Sequence, residues 1–119
     1  GLVGSEMCIR DRIDAAMAKQ NLAMVNWTAD SNDWQNRNAG KITKTVTEYA
    51  TTYTQPIIVL HDTYSSTADA TSGIIEALRH KGMTLVTVSE LTVNTGGLET
   101  GKVYCRGTAV NQNGFGCHN

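Results

Sequence analysis

Two short stretches of this chain place side chains capable of proton chemistry just beyond apolar runs. After 22–27 (L-A-M-V-N-W) come Asp30, Ser31, Asn32, Asp33 and Trp34, and after 57–60 (I-I-V-L) come His61 and Asp62. In parallel α/β sheets and barrels, functional groups collect on the loops that follow the C-terminal ends of strands. A carboxylate and an imidazole displayed from the same edge of neighbouring strands can hydrogen-bond, which holds the tautomer of the ring and favours its protonated form. A histidine held in this way can act as a general acid near neutral pH. A plainer role fits the same residues: His61 ends a strand by bonding a backbone carbonyl, while Asp30 and Asp33 cap the helix that follows. Position alone leaves both readings open, and neither gives a reaction type.

The other candidates point away from chemistry. His80 stands between Arg79 and Lys81 and reads as the solvated basic end of a helix. His118 and Cys117 are neighbours, but two ligands are too few for a metal site. Asn26-Trp27-Thr28 matches a glycosylation sequon, yet falls in a strand expected to be buried. Cys105 and Cys117 flank a Gly/Asn-rich loop; they can pair, which suggests an oxidising compartment, or remain two free thiols.

The elements that must position these loops are legible in outline. Ile13, Ala16 and Met17 follow helical spacing, and the run 22–27 reads as a buried strand with Asn26 its single polar member. A polar loop over 30–38 leads to Ile42, Val46, Tyr49, Ala50 and Tyr53, which mark a helix face despite the β-branched threonines at 43, 45 and 47. Pro56 stops that helix, and 57–60 reads as a strand covered on both faces. A helix is expected over 67–81, with Ser66 or Thr67 as cap, Ile74 and Leu78 inward and Gly82 at its end. A further strand is expected over 84–88 and a last helical turn at Ser89, Glu90 and Leu91. Helices alternating with strands make the fold class α/β, with βαβ units, parallel strands and covering helices. Beyond Gly96 the Gly/Asn-rich composition suggests a loop-rich tail without a core of its own.

Composition narrows the partners. Charged residues are 18% of the 119, hydrophobic ones 40%, and the formal net charge is -1 with no basic cluster, so nucleic acid is not an expected partner. No apolar run approaches the roughly 20 residues that span a bilayer, and the first residues lack the pattern of a signal peptide. The length suits one domain but falls short of a full (β/α) barrel, which takes about 200 residues or more. Residues 1–12, G-L-V-G-S-E-M-C-I-R-D-R, resemble a string that recurs at the ends of reading frames from metagenomic reads, where sequencing adapter has been translated. They are set aside from the fold, as a fusion scar would be.

The segment V-N-W-T-A-D-S-N-D-W (25–34) resembles the fourth motif of the polysaccharide deacetylase family, also called carbohydrate esterase family 4 or the NodB-homology domain, and I-I-V-L-H-D (57–62) resembles its fifth. The order continues with I-I-E-A-L-R-H-K-G-M-T-L-V-T-V-S-E-L (74–91), similar to the closing helix and strand of the family, and L-E-T-G-K-V-Y (98–104), similar to its usual end. The resemblance implies the C-terminal portion of a distorted (β/α) barrel over 13–104, with 105–119 as the tail. It also implies an enzyme that hydrolyses N- or O-acetyl groups on chitin, peptidoglycan or xylan with a divalent metal, zinc or similar.

By the same resemblance His61 is the general acid that protonates the departing amine, and Asp33 orients it and favours its charged form. Val59 falls where the family usually has Leu in the wall of the acetyl pocket, and Trp34 packs beside that pocket, although plain core packing also fits Trp34. The metal ligands of the family, an Asp on an early strand and two His at i, i+4, are not matched, nor is its Arg before a Pro-Tyr turn. The histidines are His61, His80 and His118, no two acidic residues are adjacent, and the sole proline, Pro56, follows Gln55. Catalytic zinc takes three protein ligands and an open position for water. The expectation is therefore a fragment inactive alone, with the metal in its full-length, secreted or cell-envelope parent and none in this chain. The expected partner is an acetylated polysaccharide. One alternative is a non-catalytic glycan-binding domain in which His61 and Asp33 contact sugar hydroxyls. Another, a small independent domain in which 1–12 are genuine, would leave open strand edges.

Overall fold

Residues 12–13, 15–110 and 117 are described by the computed structural model. The adapter-like stretch apart from Arg12, and His118 of the tail, lie outside the described residues. A first helix, α1, is helical at 12–13 and 15–19, in line with the expected spacing. It stops at Asn21, whose left-handed φ of 57° turns the chain so that the Leu22 amide reaches the Met17 carbonyl at 3.0 Å. Asn tolerates this conformation at a helix end better than most side chains.

The elements that follow are β1 (Met24–Val25), β2 (Ala29–Asp30), α2 (Ala39–Thr52), β3 (Ile58–Val59), α3 (Ser65–His80), α4 (Val88–Leu91), a 3-10 turn (Val93–Thr95), β4 (Val103–Tyr104) and β5 (Ala109–Val110). Helices thus alternate with short strands in an α/β arrangement. β2 and β3 pair in parallel with α2 between them, which is the expected βαβ unit. In register, Ala29 faces Ile58 and Asp30 faces Val59.

Helix α2 forms in spite of its threonines because burial of its apolar face outweighs their modest helix cost. Thr43, Thr47 and Thr51 donate to the carbonyls four residues earlier at 2.9, 2.7 and 2.8 Å. Asn38 caps it, its side chain accepting from the Lys41 amide at 3.0 Å. Asp30 and Asp33 are therefore not its caps. The face bearing Ile42, Val46 and Ala50 is fully buried against Ala70, Ile74 and Leu78 of α3, with Ile58, Leu60 and Met83 closing the cluster. Gly73 faces Thr43 across this contact, where an added Cβ would sit at ordinary van der Waals distance, 3.4 Å from the hydroxyl. Each large side chain of this core stabilises the fold by roughly 1.5–3 kcal/mol relative to exposure. Tyr49 and Tyr53, expected on this face, instead stack on each other with centroids 6.5 Å apart, and Tyr49 is exposed.

Several expectations need correction. The run 22–27 is not one buried strand: only Met24–Val25 is paired, with β4, and Leu22 and Val25 are exposed. The strand beside β3 starts after Trp27, so the supposed loop 30–38 begins inside β2. Residues 84–88 have no ladder partner among the described residues; Leu85 and Val86 are exposed, and Thr87 caps α4 with Glu90 in a capping box. β-branched composition favours an extended backbone, but a strand also needs an edge to pair with. Within the loop-rich stretch beyond Gly96, two short strands form. β4 pairs in parallel with β1 and antiparallel with β5, and Cys105 and Cys117 are buried and joined by a disulfide, with Cα atoms 5.3 Å apart.

Thr28 helps tie the two sheets together at the β2–β3 edge, where the Ile57 amide also reaches the Cys105 carbonyl at 3.3 Å. Thr28 donates its hydroxyl to the Cys105 carbonyl at 2.9 Å and accepts the Ile57 amide at 3.2 Å. Close by, Gly107 packs on Gln55 so tightly that any Cβ would collide with the glutamine side chain.

Candidate active site

Because β2 and β3 are parallel neighbours, the chain leaves both at the same edge, and both candidate loops start there. Beyond β2, Asp30 Oδ1 accepts the Asn32 amide at 2.9 Å in a tight Asx turn, and Asn32 takes the left-handed conformation, φ 55°. The Ser31 hydroxyl accepts the Asp33 amide at 3.3 Å. These local bonds turn Asp33 inward, where it is 0% exposed.

The partner of Asp33 is His61, just beyond β3. Asp33 Oδ1 lies 2.7 Å from His61 Nδ1, and Oδ2 accepts the His61 backbone amide at 2.6 Å. A third donor, the Thr67 hydroxyl of α3, reaches Oδ2 at 2.8 Å. Burial by itself would raise the Asp33 pKa, but the His61 amide, the His61 ring, the Thr67 hydroxyl and the Ser31 side chain all favour the carboxylate, and the balance holds it below the usual carboxylate value. Asp33 is therefore ionised at neutral pH and only accepts, so the hydrogen between it and His61 sits on Nδ1. The imidazole is 45% exposed, so Nε2 is the nitrogen available for proton exchange with a bound molecule.

Around this pair the Tyr64 ring lies 5.9 Å from the His61 ring, and the Arg37 guanidinium covers Tyr64 at 4.3 Å. Trp34 follows Asp33 directly and is 52% exposed in this chain. Val59 is half-buried in β3 opposite Asp30. A cavity of about 490 Å³ opens elsewhere, lined by Ile74, Leu78, Leu85 and Val86 among others, and none of His61, Asp33, Trp34 or Val59 borders it. His80 is exposed in the last turn of α3, as its basic neighbours suggested.

Thr67 is the residue that reading the sequence missed. Read as a helix cap, it is in fact the third residue of α3, whose N-cap is Tyr64 without a side-chain bond. Its position at the start of a helix launched from the loop of His61 was the available signal. Among the described residues, no group of three or more His, Cys, Asp or Glu side chains is placed to hold a metal ion.

No family model matches the chain. Among curated proteins, the peptidoglycan-N-acetylglucosamine deacetylase PgdA of Listeria monocytogenes serotype 1/2a (strain 10403S) is 35% identical over 83 residues, which is 70% of this chain and 17% of that protein. The peptidoglycan-N-acetylmuramic acid deacetylase PdaC of Bacillus subtilis (strain 168) is 37% identical over 83 residues, again 70% of this chain and 17% of the relative. The matched stretch thus spans about one sixth of the length of these relatives.

Proposed function

The chain belongs to the polysaccharide deacetylase family, and on that premise we propose that it carries the proton-donating side of a site that hydrolyses acetyl groups on a glycan. The observation that carries the reading is the His61–Asp33 pair, with Asp33 buried and the outer face of the imidazole exposed. In amide hydrolysis an oxygen nucleophile adds to the acetyl carbon and the C–N bond then breaks, leaving its electron pair on nitrogen. His61 Nε2 supplies the proton that this nitrogen takes, and the ring becomes neutral while Asp33 stays ionised and keeps Nδ1 in place. Val59 and Trp34 contribute to the wall of the acetyl site.

The resemblance implies a divalent metal, zinc or similar, that would polarise the acetyl group and activate the water. The donor set described here does not fit one, since no three ligand side chains converge among the described residues. Activation of the nucleophile therefore falls to groups outside this set, and the chain alone is expected to release no acetate. The natural protein is read as a distorted (β/α) barrel to which 13–104 contribute the closing units, with 1–12 foreign to it. It acts on an acetylated polysaccharide, and the peptidoglycan in the names of both relatives is the first substrate to try. The buried Cys105–Cys117 disulfide favours a secreted or cell-envelope setting. Among the described residues no helix is long and apolar enough to cross a membrane.

A glycan-binding role without catalysis draws support from the exposed Trp34. The burial of Asp33 counts against its touching sugar hydroxyls, because both of its oxygens are already bonded. Acetate release separates the two readings. The longest natural reading frame containing this sequence should release acetate from N-acetylated peptidoglycan or chitin oligomers, lose that activity to a chelator and regain it with zinc. Binding of the glycan with no acetate released under any metal would establish the non-catalytic reading instead.

A further inference from the structure

We infer that Thr67 is a positioning residue for His61, acting through Asp33: its hydroxyl pins one carboxylate oxygen so that the other is held against the ring Nδ1. A carboxylate attached through a single rotatable bond can swing its two oxygens, and a histidine facing a swinging acceptor loses its preference for one tautomer. Asp33 Oδ2 is fixed from two directions, by the His61 amide at 2.6 Å and by the Thr67 hydroxyl at 2.8 Å. With Oδ2 held by those two bonds, Oδ1 lies 2.7 Å from Nδ1. Asp33 and Thr67 are 0% and 3% exposed, so solvent has little access to take the place of the hydroxyl. Thr67 is itself held, because it sits in the first turn of α3 and its carbonyl accepts the Thr71 hydroxyl at 2.9 Å. The backbone amide is common to any residue at position 61, whereas the hydroxyl is specific to the side chain at 67.

The catalytic meaning of this assignment rests on His61 being the proton donor, but the tautomer is measured without substrate, so the two can fail separately. The ring nitrogens of His61 in the full chain, labelled with nitrogen-15, report the tautomer directly at a pH where the imidazole is neutral. In the wild type Nδ1 should be the protonated nitrogen. In Thr67→Val, nearly isosteric but without the donor, the ratio of Nδ1-H to Nε2-H tautomers should fall roughly tenfold, the scale of a lost bond to a charged acceptor. Thr67→Ser should restore it. A folded Thr67→Val chain with the wild-type ring signals overturns the inference, as does a Thr67→Ser chain that behaves like Thr67→Val, since the methyl group would then be what matters. If Thr67→Val does not fold, the wild type still decides: the Thr67 hydroxyl proton should exchange with water far more slowly than that of exposed Thr63, and equal exchange overturns the inference. Loss of the tautomer bias in Thr67→Val, with acetate release intact when the same substitution is made in the longest natural reading frame, would refute the reading of His61 while leaving the role of Thr67 standing.

Discussion

His61 Nδ1 lies 2.7 Å from Oδ1 of Asp33, a residue 28 positions earlier in the chain, and the two differ sharply in surroundings: the carboxylate is 0% exposed and the imidazole 45%. The pair joins a fixed buried charge to a ring whose far side meets solvent. That asymmetry suits proton delivery, because the buried partner sets orientation while the exposed nitrogen exchanges protons.

Replacing Asp33 with Asn tests whether the carboxylate is needed for its shape or for its acceptor capacity. Two N–H groups and one hydroxyl point at its oxygens. In Asp33→Asn an amide NH2 placed at Oδ2 faces the His61 amide and the Thr67 hydroxyl, and one placed at Oδ1 is accepted by the ring only if His61 changes tautomer; either way the charge-assisted bonds are lost. Urea unfolding at neutral pH should show a loss of about 1–3 kcal/mol. A loss below about 0.5 kcal/mol, within the range of ordinary surface changes, would mean that the network is not formed.

Stability should fall in acid through the same residue. The folded-state pKa of Asp33 is lowered, so its contribution is fully present above the unfolded carboxylate value of about 3.9 and is lost as pH falls through the folded value. Urea midpoints measured downward from about pH 5 should therefore drop more steeply for the wild type than for Asp33→Asn. Parallel curves would contradict the assignment.

The α2–α3 contact should be the stability centre of the described fold. Leu78 is 2% exposed within a cluster that includes Ile42, Val46 and Ile74. Leu78→Ala should cost about 2–5 kcal/mol, measured by denaturant unfolding, whereas Leu85→Ala, at an exposed position, should fall within about 0.5 kcal/mol of the wild type. Equal losses at the two sites would place the core elsewhere.

The Cys105–Cys117 bridge closes a loop with a sequence separation of 12. Loop closure of that size stabilises by roughly 3 kcal/mol in the chain-entropy account. Thermal unfolding with and without reductant should show a clear fall in the midpoint, and the Cys105→Ala/Cys117→Ala chain should be indifferent to reductant. No response of the wild type would mean that the thiols are not bridged.

What could be read from the sequence was what is encoded locally. Ile42, Val46 and Ala50 recur at helical spacing and are all buried, and 57–60 carries the β-branched run that contains β3. Pairing is not local, which is why one apolar run, 22–27, looked like the neighbour of β3 when the neighbour is Ala29–Asp30. For the same reason 84–88 looked like a strand although it has no ladder partner among the described residues. The Asp33 and His61 loops were legible because parallel strands gather their following loops at one edge. Thr67 was not, because a threonine near a helix start satisfies the local rule for a cap while its actual acceptor lies 34 positions away. Glycines hid β5 in the tail, where Cys105 and Cys117 were visible as candidates for pairing but the bridge was not.

The central claim is that His61 donates the proton on which departure of the amine depends. Its most direct test is the steady-state release of acetate from an N-acetylated glycan by the longest natural reading frame that contains this segment, compared with its His61→Ala form at neutral pH. The account predicts a fall in kcat of about 10²–10⁴-fold with KM little changed. An unchanged kcat in a correctly folded variant would contradict it.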